Sequence, residues 1–116
     1  RDLDTVDRIT AEEFKNRLNI EEDTVFDVRK ESEWTAEHVS ESYSRPLASI
    51  NDWIKDVNPD QHFYVHCAGG YRSMIAASIL QSRGYHNFTE IEGGFKAIAE
   101  AGVEKTDYVC QSKVLK

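Results

Sequence analysis

The chain has 116 residues, of which 40% are hydrophobic and 30% are charged, a composition typical of one globular domain. Its formal net charge of -7 argues against nucleic acid as a partner, because proteins that bind the phosphate backbone carry basic patches. No apolar stretch approaches the roughly 20 residues of a membrane-spanning helix, so we predict no membrane span.

Two cysteines and four scattered histidines limit what the chain can cross-link or bind. A disulfide framework needs more cysteines and a zinc site needs clustered ligands, so we predict neither. A single disulfide between Cys67 and Cys110 stays open as an alternative. Because Cys67 has the position of a reactive thiol, we predict a reducing, cytoplasmic location. The first residue is Arg1, so we expect that this single domain over residues 1–116, with a C-terminal tail over 103–116, was cut from a longer protein.

The first part of the chain alternates between helical and strand patterns. Thr10 and Glu13 have the spacing of a capping box, which predicts the start of an amphipathic helix. Residues 24–28 are mostly apolar and predict a buried strand. The charged segment 29–37 predicts a short helical turn that Trp34 anchors in the core.

Extended and helical segments continue through the middle of the chain. Proline disfavours helical backbone at the residue before it, so Pro46 predicts an extended segment at residues 45–47. Ser49 is predicted to cap a helix that ends near residue 57. A second buried strand is predicted at residues 63–65.

The last part of the chain contains two predicted helices and one strand. One helix begins near Ser73 and ends at Gly84, a strand covers residues 88–91, and a final helix covers residues 95–101. Four or five short strands that alternate with helices indicate an α/β fold, with a central, mainly parallel sheet and helices on both faces. In such sheets the ligand lies at the carboxyl ends of the strands, where Cys67 is expected.

The segment after the 63–65 strand carries the strongest functional signal, and it reads His-Cys-Ala-Gly-Gly-Tyr-Arg-Ser. Gly69 and Gly70 can adopt left-handed backbone angles, which lets successive N–H groups point at one negative centre. The helix that Ser73 is predicted to cap adds unsatisfied amides and the positive end of its dipole. Both features stabilise an anionic sulfur, so Cys67 is the candidate nucleophile.

These residues resemble the rhodanese (thiosulfate sulfurtransferase) family, and the resemblance covers nearly the whole chain. The Cys-Ala-Gly-Gly-Tyr-Arg-Ser form is similar to rhodanese modules fused behind a metallo-β-lactamase-like domain in bacterial proteins. Glu37 and Glu41 depart from the pattern because the family usually has glycines there, so we expect a different backbone path between residues 34 and 43. The other matching motifs are Asp27-Val28-Arg29, Glu33-Trp34, Arg45-Pro46-Leu47 and Gly93-Gly94.

The resemblance implies a rhodanese-like domain that transfers sulfane sulfur through a persulfide on Cys67. The implied donor is thiosulfate or a low-molecular-weight persulfide such as glutathione persulfide, and the acceptor is a thiol, sulfite or cyanide. Arg72 would contact the anionic part of the donor, Asp27 and Arg29 would support the loop, and no metal or cofactor is implied. The loop residues implied in substrate binding are Ala68, Gly69, Gly70, Tyr71, Arg72 and Ser73.

Two other functions stay open. One is a cysteine-dependent phosphatase or arsenate reductase on the same fold. Such phosphatases place five residues between nucleophile and arginine, whereas four separate Cys67 from Arg72, and this difference favours sulfur as the substrate. The other is a non-catalytic module that binds sulfur or relays it to a neighbouring domain, such as a metallo-β-lactamase-like domain of the same full-length chain.

The polar neighbours of the loop are predicted to have structural roles. Arg29 is expected to reach Glu33 one helical turn further on. His66 is expected to bond to the loop backbone and not to act as a base. Cys110 is predicted to be an incidental thiol in the tail, with resolution of the persulfide as the alternative.

Overall fold

A computed structural model of the protein describes residues 6–114, and a parallel sheet lies at its centre. The strands in chain order are β1 (Asp7–Ile9), β2 (Val25–Asp27), β3 (His38–Val39), β4 (Tyr43–Ser44), β5 (Phe63–His66), β6 (Phe88–Ile91) and β7 (Lys105–Thr106). Five of them lie side by side in the order β1-β6-β5-β2-β4, and each neighbouring pair is parallel. The predicted α/β fold with a mainly parallel sheet is therefore confirmed.

Helices cover both faces of this sheet. The α-helices are α1 (Ala11–Arg17), α2 (Glu31–Ala36), α3 (Ile50–Trp53), α4 (Tyr71–Ser82) and α5 (Gly94–Ala101). Helices α1 and α5 pack against one face, and α3 and α4 pack against the other. Within residues 6–114, none of these helices has the length and apolar character needed to cross a bilayer.

Alternation along the strands assigns side chains to the two faces. In β5, Phe63 and Val65 pack in the cluster that contains Leu80 of α4, whereas Tyr64 packs in the opposite cluster with Phe14 of α1. Because both faces are covered, every residue of this strand is buried. The continuous apolar pattern of the sequence thus fixes the position of the strand that leads into the loop.

Local predictions in the first half of the chain have mixed outcomes. The capping box is confirmed, because the Glu13 amide donates to Thr10 Oγ1 at 3.1 Å and the Thr10 amide donates to Glu13 Oε1 at 3.2 Å. Ser49 is the N-cap residue of α3, as predicted, but its side chain makes no capping bond, and the helical segment reaches residue 57 only through a 3₁₀ turn at Ile54–Asp56. The extended segment predicted at 45–47 lies earlier, as β4.

The C-terminal tail is tied to the domain by a second, two-stranded sheet. Strand β7 pairs antiparallel with β3, so that Thr106 lies opposite His38 and Lys105 opposite Val39. Two-residue strands with a distant partner leave no periodic signal in the sequence, and neither strand was predicted. The last two residues of the predicted tail, 115–116, lie outside the described residues.

The two glutamates that replace family glycines adopt different backbone conformations. Glu41 has a φ of +67°, in the left-handed region that favours glycine. Glu37 has a φ of -167°, which is extended backbone that any residue adopts. Backbone strain is therefore confined to the first of these two positions.

Replacing Glu41 with glycine is expected to raise the free energy of unfolding by about 1 kcal/mol, because the left-handed penalty of a side chain disappears. The ion pair that is lost, from Glu41 to Lys113 at 3.5 Å, is long and its Glu41 side chain is 60% exposed, so it contributes little. Glu37→Gly is the matched control, because it also removes a partly exposed ion pair, to Lys105 at 2.9 Å, but relieves no left-handed strain. It is expected to lower stability by about 0.5–1 kcal/mol, mainly through chain entropy. Urea unfolding of both variants measures the difference, and equal destabilisation would contradict the assignment of strain.

Candidate active site

Cys67 follows β5 directly and lies at the carboxyl edge of the parallel sheet, where ligands bind in such folds. Its side chain is 1% exposed and packs in the cluster between the sheet and α4. The amide of Gly70 donates to Cys67 Sγ at 3.0 Å. Gly70 has a φ of +100° and is the N-cap of α4, so the sulfur lies at the positive end of that helix.

Two details of the predicted loop are corrected by the structure. Of the two loop glycines, Gly70 adopts a left-handed conformation but Gly69 does not. Ser73 was predicted to cap the helix. The helix begins at Tyr71, however, so Ser73 lies inside its first turn and Gly70 is the N-cap. A single amide contact to the sulfur is therefore observed, and the Ser73 hydroxyl lies 3.2 Å from the carbonyl of Gly70.

Ser73 connects Cys67 to a buried carboxylate. The Cys67 thiol donates toward Ser73 Oγ at 3.5 Å, and the Ser73 hydroxyl donates to Glu90 Oε2 at 2.6 Å. Glu90 is 1% exposed and is compensated by Arg8, whose Nη2 lies 2.6 Å from Glu90 Oε1. Sequence reasoning missed Glu90, although a glutamate inside a buried strand pattern was a signal for a paired carboxylate.

Arg72 is engaged by a carboxylate in this structure. Its Nη1 lies 2.7 Å from Glu33 Oε1 and its Nη2 lies 3.2 Å from Glu33 Oε2, which makes a bidentate ion pair. The hydrogen bond to Arg72 is the main cause that lowers the pKa of Glu33 to about 2, and the same bond raises the pKa of Arg72. The sequence placed both residues in motifs but did not predict that they meet.

Asp27 and Arg29 form a buried ion pair beneath the loop. The guanidinium of Arg29 donates to Asp27 Oδ2 at 2.8 Å and to the carbonyl of Glu37 at 2.7 Å, and it lies 4.2 Å from the centre of the Phe95 ring. The prediction that Arg29 pairs with Glu33 is wrong, because the guanidinium is bound by Asp27, which lies only two residues earlier at the end of β2. These contacts brace the ends of β2, α2 and α5 against each other.

His66 is fully buried between the loop and this ion pair. Its Nδ1 lies 3.1 Å from the carbonyl of Cys67, which agrees with the predicted bond to loop backbone. Its Nε2 lies 3.9 Å from Asp27 Oδ2 and has no hydrogen-bond partner. Burial lowers the pKa of His66, so the ring is neutral near pH 7.

The start of α5 closes the loop from the other side. The amide of Phe95 donates to the carbonyl of Cys67, and the amide of Lys96 donates to the carbonyl of Ala68 at 3.2 Å. Gly94 has a φ of +63°, and a Cβ atom there would lie 2.5 Å from the Ala68 carbonyl. The loop therefore needs a glycine at position 94. The Gly93-Gly94 motif indicated a tight turn, but the sequence did not show that Gly94 contacts the backbone of the Cys67 loop.

The mouth of the loop is open and partly apolar. Tyr71 is 74% exposed and Met74 is 53% exposed. Both line a cavity of about 410 Å³ beside Gly69 and Gly70, together with three charged residues and Gly93. The charged residues are Arg8, Glu90 and Glu92. A small donor molecule could approach the loop through this cavity.

The remaining candidate residues lie in structural positions. His38 stacks on Trp34 with ring centres 3.9 Å apart, and its Nδ1 bonds to the Trp34 carbonyl. Cys67 and Cys110 are both free thiols. Among residues 6–114, no three His, Cys, Asp or Glu side chains converge in an arrangement that could bind a metal ion.

The sequence profile of the rhodanese-like domain matches residues 10–101, which include the loop and every strand of the parallel sheet except β1. The chain belongs to the rhodanese-like domain family. A crystal structure of a rhodanese-related protein from Thermoplasma volcanium superposes with a TM-score of 0.75 at 28% identity, covering 88% of this chain and 99% of that one.

Two curated relatives extend the comparison. The Thiosulfate sulfurtransferase GlpE of Pseudoalteromonas translucida is 29% identical over 90 residues, which is 78% of this chain and 86% of that protein. Protein HIGH ARSENIC CONTENT 1, mitochondrial, of Arabidopsis thaliana is 29% identical over 113 residues, which is 87% of this chain and 64% of that protein. Other curated relatives are longer still, and the chain spans 32% to 50% of three of them.

Proposed function

We propose that the domain is a sulfurtransferase that moves sulfane sulfur from thiosulfate or a low-molecular-weight persulfide to a thiophilic acceptor. The observation that carries the proposal is the buried thiol of Cys67 at the amino end of α4, with the Gly70 amide 3.0 Å from the sulfur. The likeness to GlpE, a protein named as a thiosulfate sulfurtransferase, supports it.

The proposed reaction is a double displacement on the sulfur of Cys67. The thiolate attacks the outer sulfur of the donor, a new S–S bond forms, and the S–S bond of the donor breaks. The donor remainder, sulfite from thiosulfate or a thiolate from a persulfide, leaves with the electron pair. A thiol, sulfite or cyanide then removes the outer sulfur from the Cys67 persulfide and regenerates the thiolate.

The loop residues 68–73 would contact the transferred sulfur, and each element around them has a task. The Gly70 amide and the amino end of α4 stabilise negative charge. Ser73 is oriented by Glu90, and Asp27 with Arg29 supports the strand that carries the thiol. These residues suffice for the two displacements, so the proposed step draws on no cofactor.

A second candidate is oxyanion chemistry on phosphate or arsenate. The likeness to the Arabidopsis protein, whose name refers to arsenic content, is the observation that favours it. The spacing of four residues between Cys67 and Arg72 argues for the smaller sulfur substrate. A domain that only binds or relays sulfur, to a metallo-β-lactamase-like domain of a longer chain, is the non-catalytic form of the proposal. Both forms are proposed for a reducing, cytoplasmic compartment.

The test is sulfur loading followed by intact mass measurement. The reduced domain is incubated with excess thiosulfate or glutathione persulfide and desalted before its mass is recorded. We expect a gain of one sulfur atom that cyanide removes. Cys67→Ser is expected to abolish the gain, whereas Cys110→Ser, which removes the other free thiol, is expected to keep it.

Each alternative has its own outcome in this experiment. Sulfur that accumulates on Cys67 but reaches no acceptor would support the relay form of the proposal. No sulfur gain with either donor, together with hydrolysis of p-nitrophenyl phosphate or reduction of arsenate that needs Cys67, would replace sulfur transfer with oxyanion chemistry.

A further inference from the structure

Three arginines border the Cys67 loop, and each is bound to a carboxylate. The guanidinium groups lie between 2.6 and 2.8 Å from their partners. An anionic donor that approaches the thiol therefore meets cations whose charge is already compensated. The pairs are Arg8–Glu90, Arg29–Asp27 and Arg72–Glu33.

The pair between Arg72 and Glu33 is the one in which both side chains are partly exposed, whereas Arg8, at 38% exposure, is bound to the buried Glu90. Arg72 lies at the second position of α4, and about a third of each of the two side chains is exposed. By contrast, the side chains of Arg29 and Asp27 are almost completely buried and support the sheet. Arg72, which directly follows the loop residue Tyr71, is thus accessible to a donor, and so is the carboxylate of Glu33 to which it is bound.

Glu33 is fixed in place independently of Arg72. Its Oε1 accepts the amide of Lys30 at 3.1 Å, as the third residue of a capping box at the start of α2. The bond to Arg72 is the main cause that lowers the pKa of Glu33 to about 2, but an ordinary glutamate, with a pKa of ~4.3, is also ionised at neutral pH without such a partner. When Arg72 turns toward a donor, the negative charge of Glu33 stays behind at the same place.

The cavity beside the loop does not supply a positive charge that could compensate the charge of Glu33. Its lining includes two carboxylates, Glu90 and Glu92, and one arginine, Arg8, which is bound to the first of them. Exposed side chains of Tyr71 and Met74 make the rest of the mouth apolar. Each additional negative charge on a donor is therefore costly at this entrance.

We propose that Glu33 is a specificity-determining residue that selects donors by charge. By occupying Arg72, Glu33 disfavours the dianion thiosulfate relative to sulfane donors that carry a single negative charge, such as an alkyl persulfide or a thiosulfonate. The inference rests on the proposed sulfur transfer, and it assigns the substrate class of that site.

Two donors of matched shape isolate the effect of charge. Thiosulfate is a dianion, and methanethiosulfonate has a methyl group in place of one anionic oxygen and is a monoanion. In each case the Cys67 thiolate attacks the outer sulfur and the same persulfide forms. The S–S bond of the donor breaks, and sulfite or methanesulfinate leaves with the electron pair.

The experiment measures the second-order rate constant for loading of Cys67 with each donor, by intact mass, in the wild type and in Glu33→Gln. Glutamine can still complete the capping box, so α2 is expected to fold normally. We expect the ratio of the thiosulfate to the methanethiosulfonate rate constant to rise about tenfold, as one uncompensated charge near the donor implies. Differences in intrinsic donor reactivity cancel because the ratio is compared between variants.

Glu13→Gln is the matched control. Glu13 is the third residue of the capping box of α1 and pairs with Arg17 at 3.6 Å, so this variant removes the same charge from the same type of position. Its donor ratio is expected to equal that of the wild type. A shift as large as that of Glu33→Gln would show a general effect of net charge and would overturn the inference.

Arg72→Gln, alone and combined with Glu33→Gln, provides an independent measurement. Removal of the arginine alone leaves the charge of Glu33 uncompensated, so the donor ratio is expected to fall below that of the wild type; in the double variant, which removes both charges, the ratio is expected to return to about the wild-type value. Loading by both donors with an unchanged ratio in Glu33→Gln would overturn the inference and leave sulfur transfer intact. Loading by neither donor in any variant would overturn the proposed function itself, and the inference with it.

Discussion

Replacing Asp27 with alanine is expected to destabilise the domain by about 3–5 kcal/mol, because it leaves the buried charge of Arg29 without its partner. The Arg29 side chain is 7% exposed, and Asp27 accepts hydrogen bonds from its guanidinium at 2.8–3.0 Å and from its amide at 3.0 Å. Urea unfolding measures the loss. Because the pair braces the strand that precedes the loop, sulfur loading of Cys67 is expected to fall as well.

A double variant separates the charge from the packing. In Asp27→Ala combined with Arg29→Met no buried charge remains, and hydrophobic replacements of buried ion pairs are often tolerated. The double variant is therefore expected to be more stable than Asp27→Ala alone. If Asp27→Ala lowers the free energy of unfolding by less than about 1 kcal/mol, the Arg29 guanidinium is hydrated in the folded variant, and the ion pair does not stabilise the domain as we infer.

Replacing Gly94 with alanine is expected to have the largest effect on the loop. The left-handed conformation costs about 1–2 kcal/mol for any side chain, and overpacking adds about 1–3 kcal/mol. The overpacking follows from the position of the new Cβ, which would lie 2.5 Å from the Ala68 carbonyl and 2.6 Å from the carbonyl oxygen of Cys67. The backbone on which the thiol depends has to move, so sulfur loading is expected to be lost.

Gly84→Ala distinguishes the collision from the backbone strain. Gly84 has a φ of +91°, but a Cβ atom there meets no atom within 4 Å. This variant is expected to lose about 1–2 kcal/mol and to keep its rate of sulfur loading. Equal stability loss and equal loading in the two variants would show that Gly94 does not restrain the Cys67 loop through contact.

The fold was predictable from local patterns because most of it is local. The capping box at Thr10, the apolar strand before Cys67 and the terminating glycine of the last helix are each encoded within a few residues. The alternation of these elements implied the parallel sheet, and the family resemblance agreed with it. The strands β1, β3 and β7 escaped prediction because each has only two or three residues and lies outside an apolar run, unlike the equally short β2.

The contacts of the site were less predictable than its members. The loop residues stood out in the sequence, but the partners of Arg72 and Ser73 lie 39 and 17 residues away. The choice of Asp27 over Glu33 as the partner of Arg29 depends on where β2 ends and α2 begins. Which residues meet across such separations in sequence depends on how whole helices and strands pack, and patterns in a single sequence do not specify that packing.

The place of β1 at the edge of the sheet has a consequence for the protein during its synthesis. Arg8 of this strand bonds to Glu90, 82 residues later, so β1 leaves the ribosome long before its partner strand β6 has been synthesised. A nascent chain that stops short of Gly94 already carries Cys67 but lacks the amides of α5 that bond to its carbonyl and to that of the next residue. During translation, the loop that carries the thiol therefore lacks its hydrogen bonds to α5 until most of the domain has been synthesised.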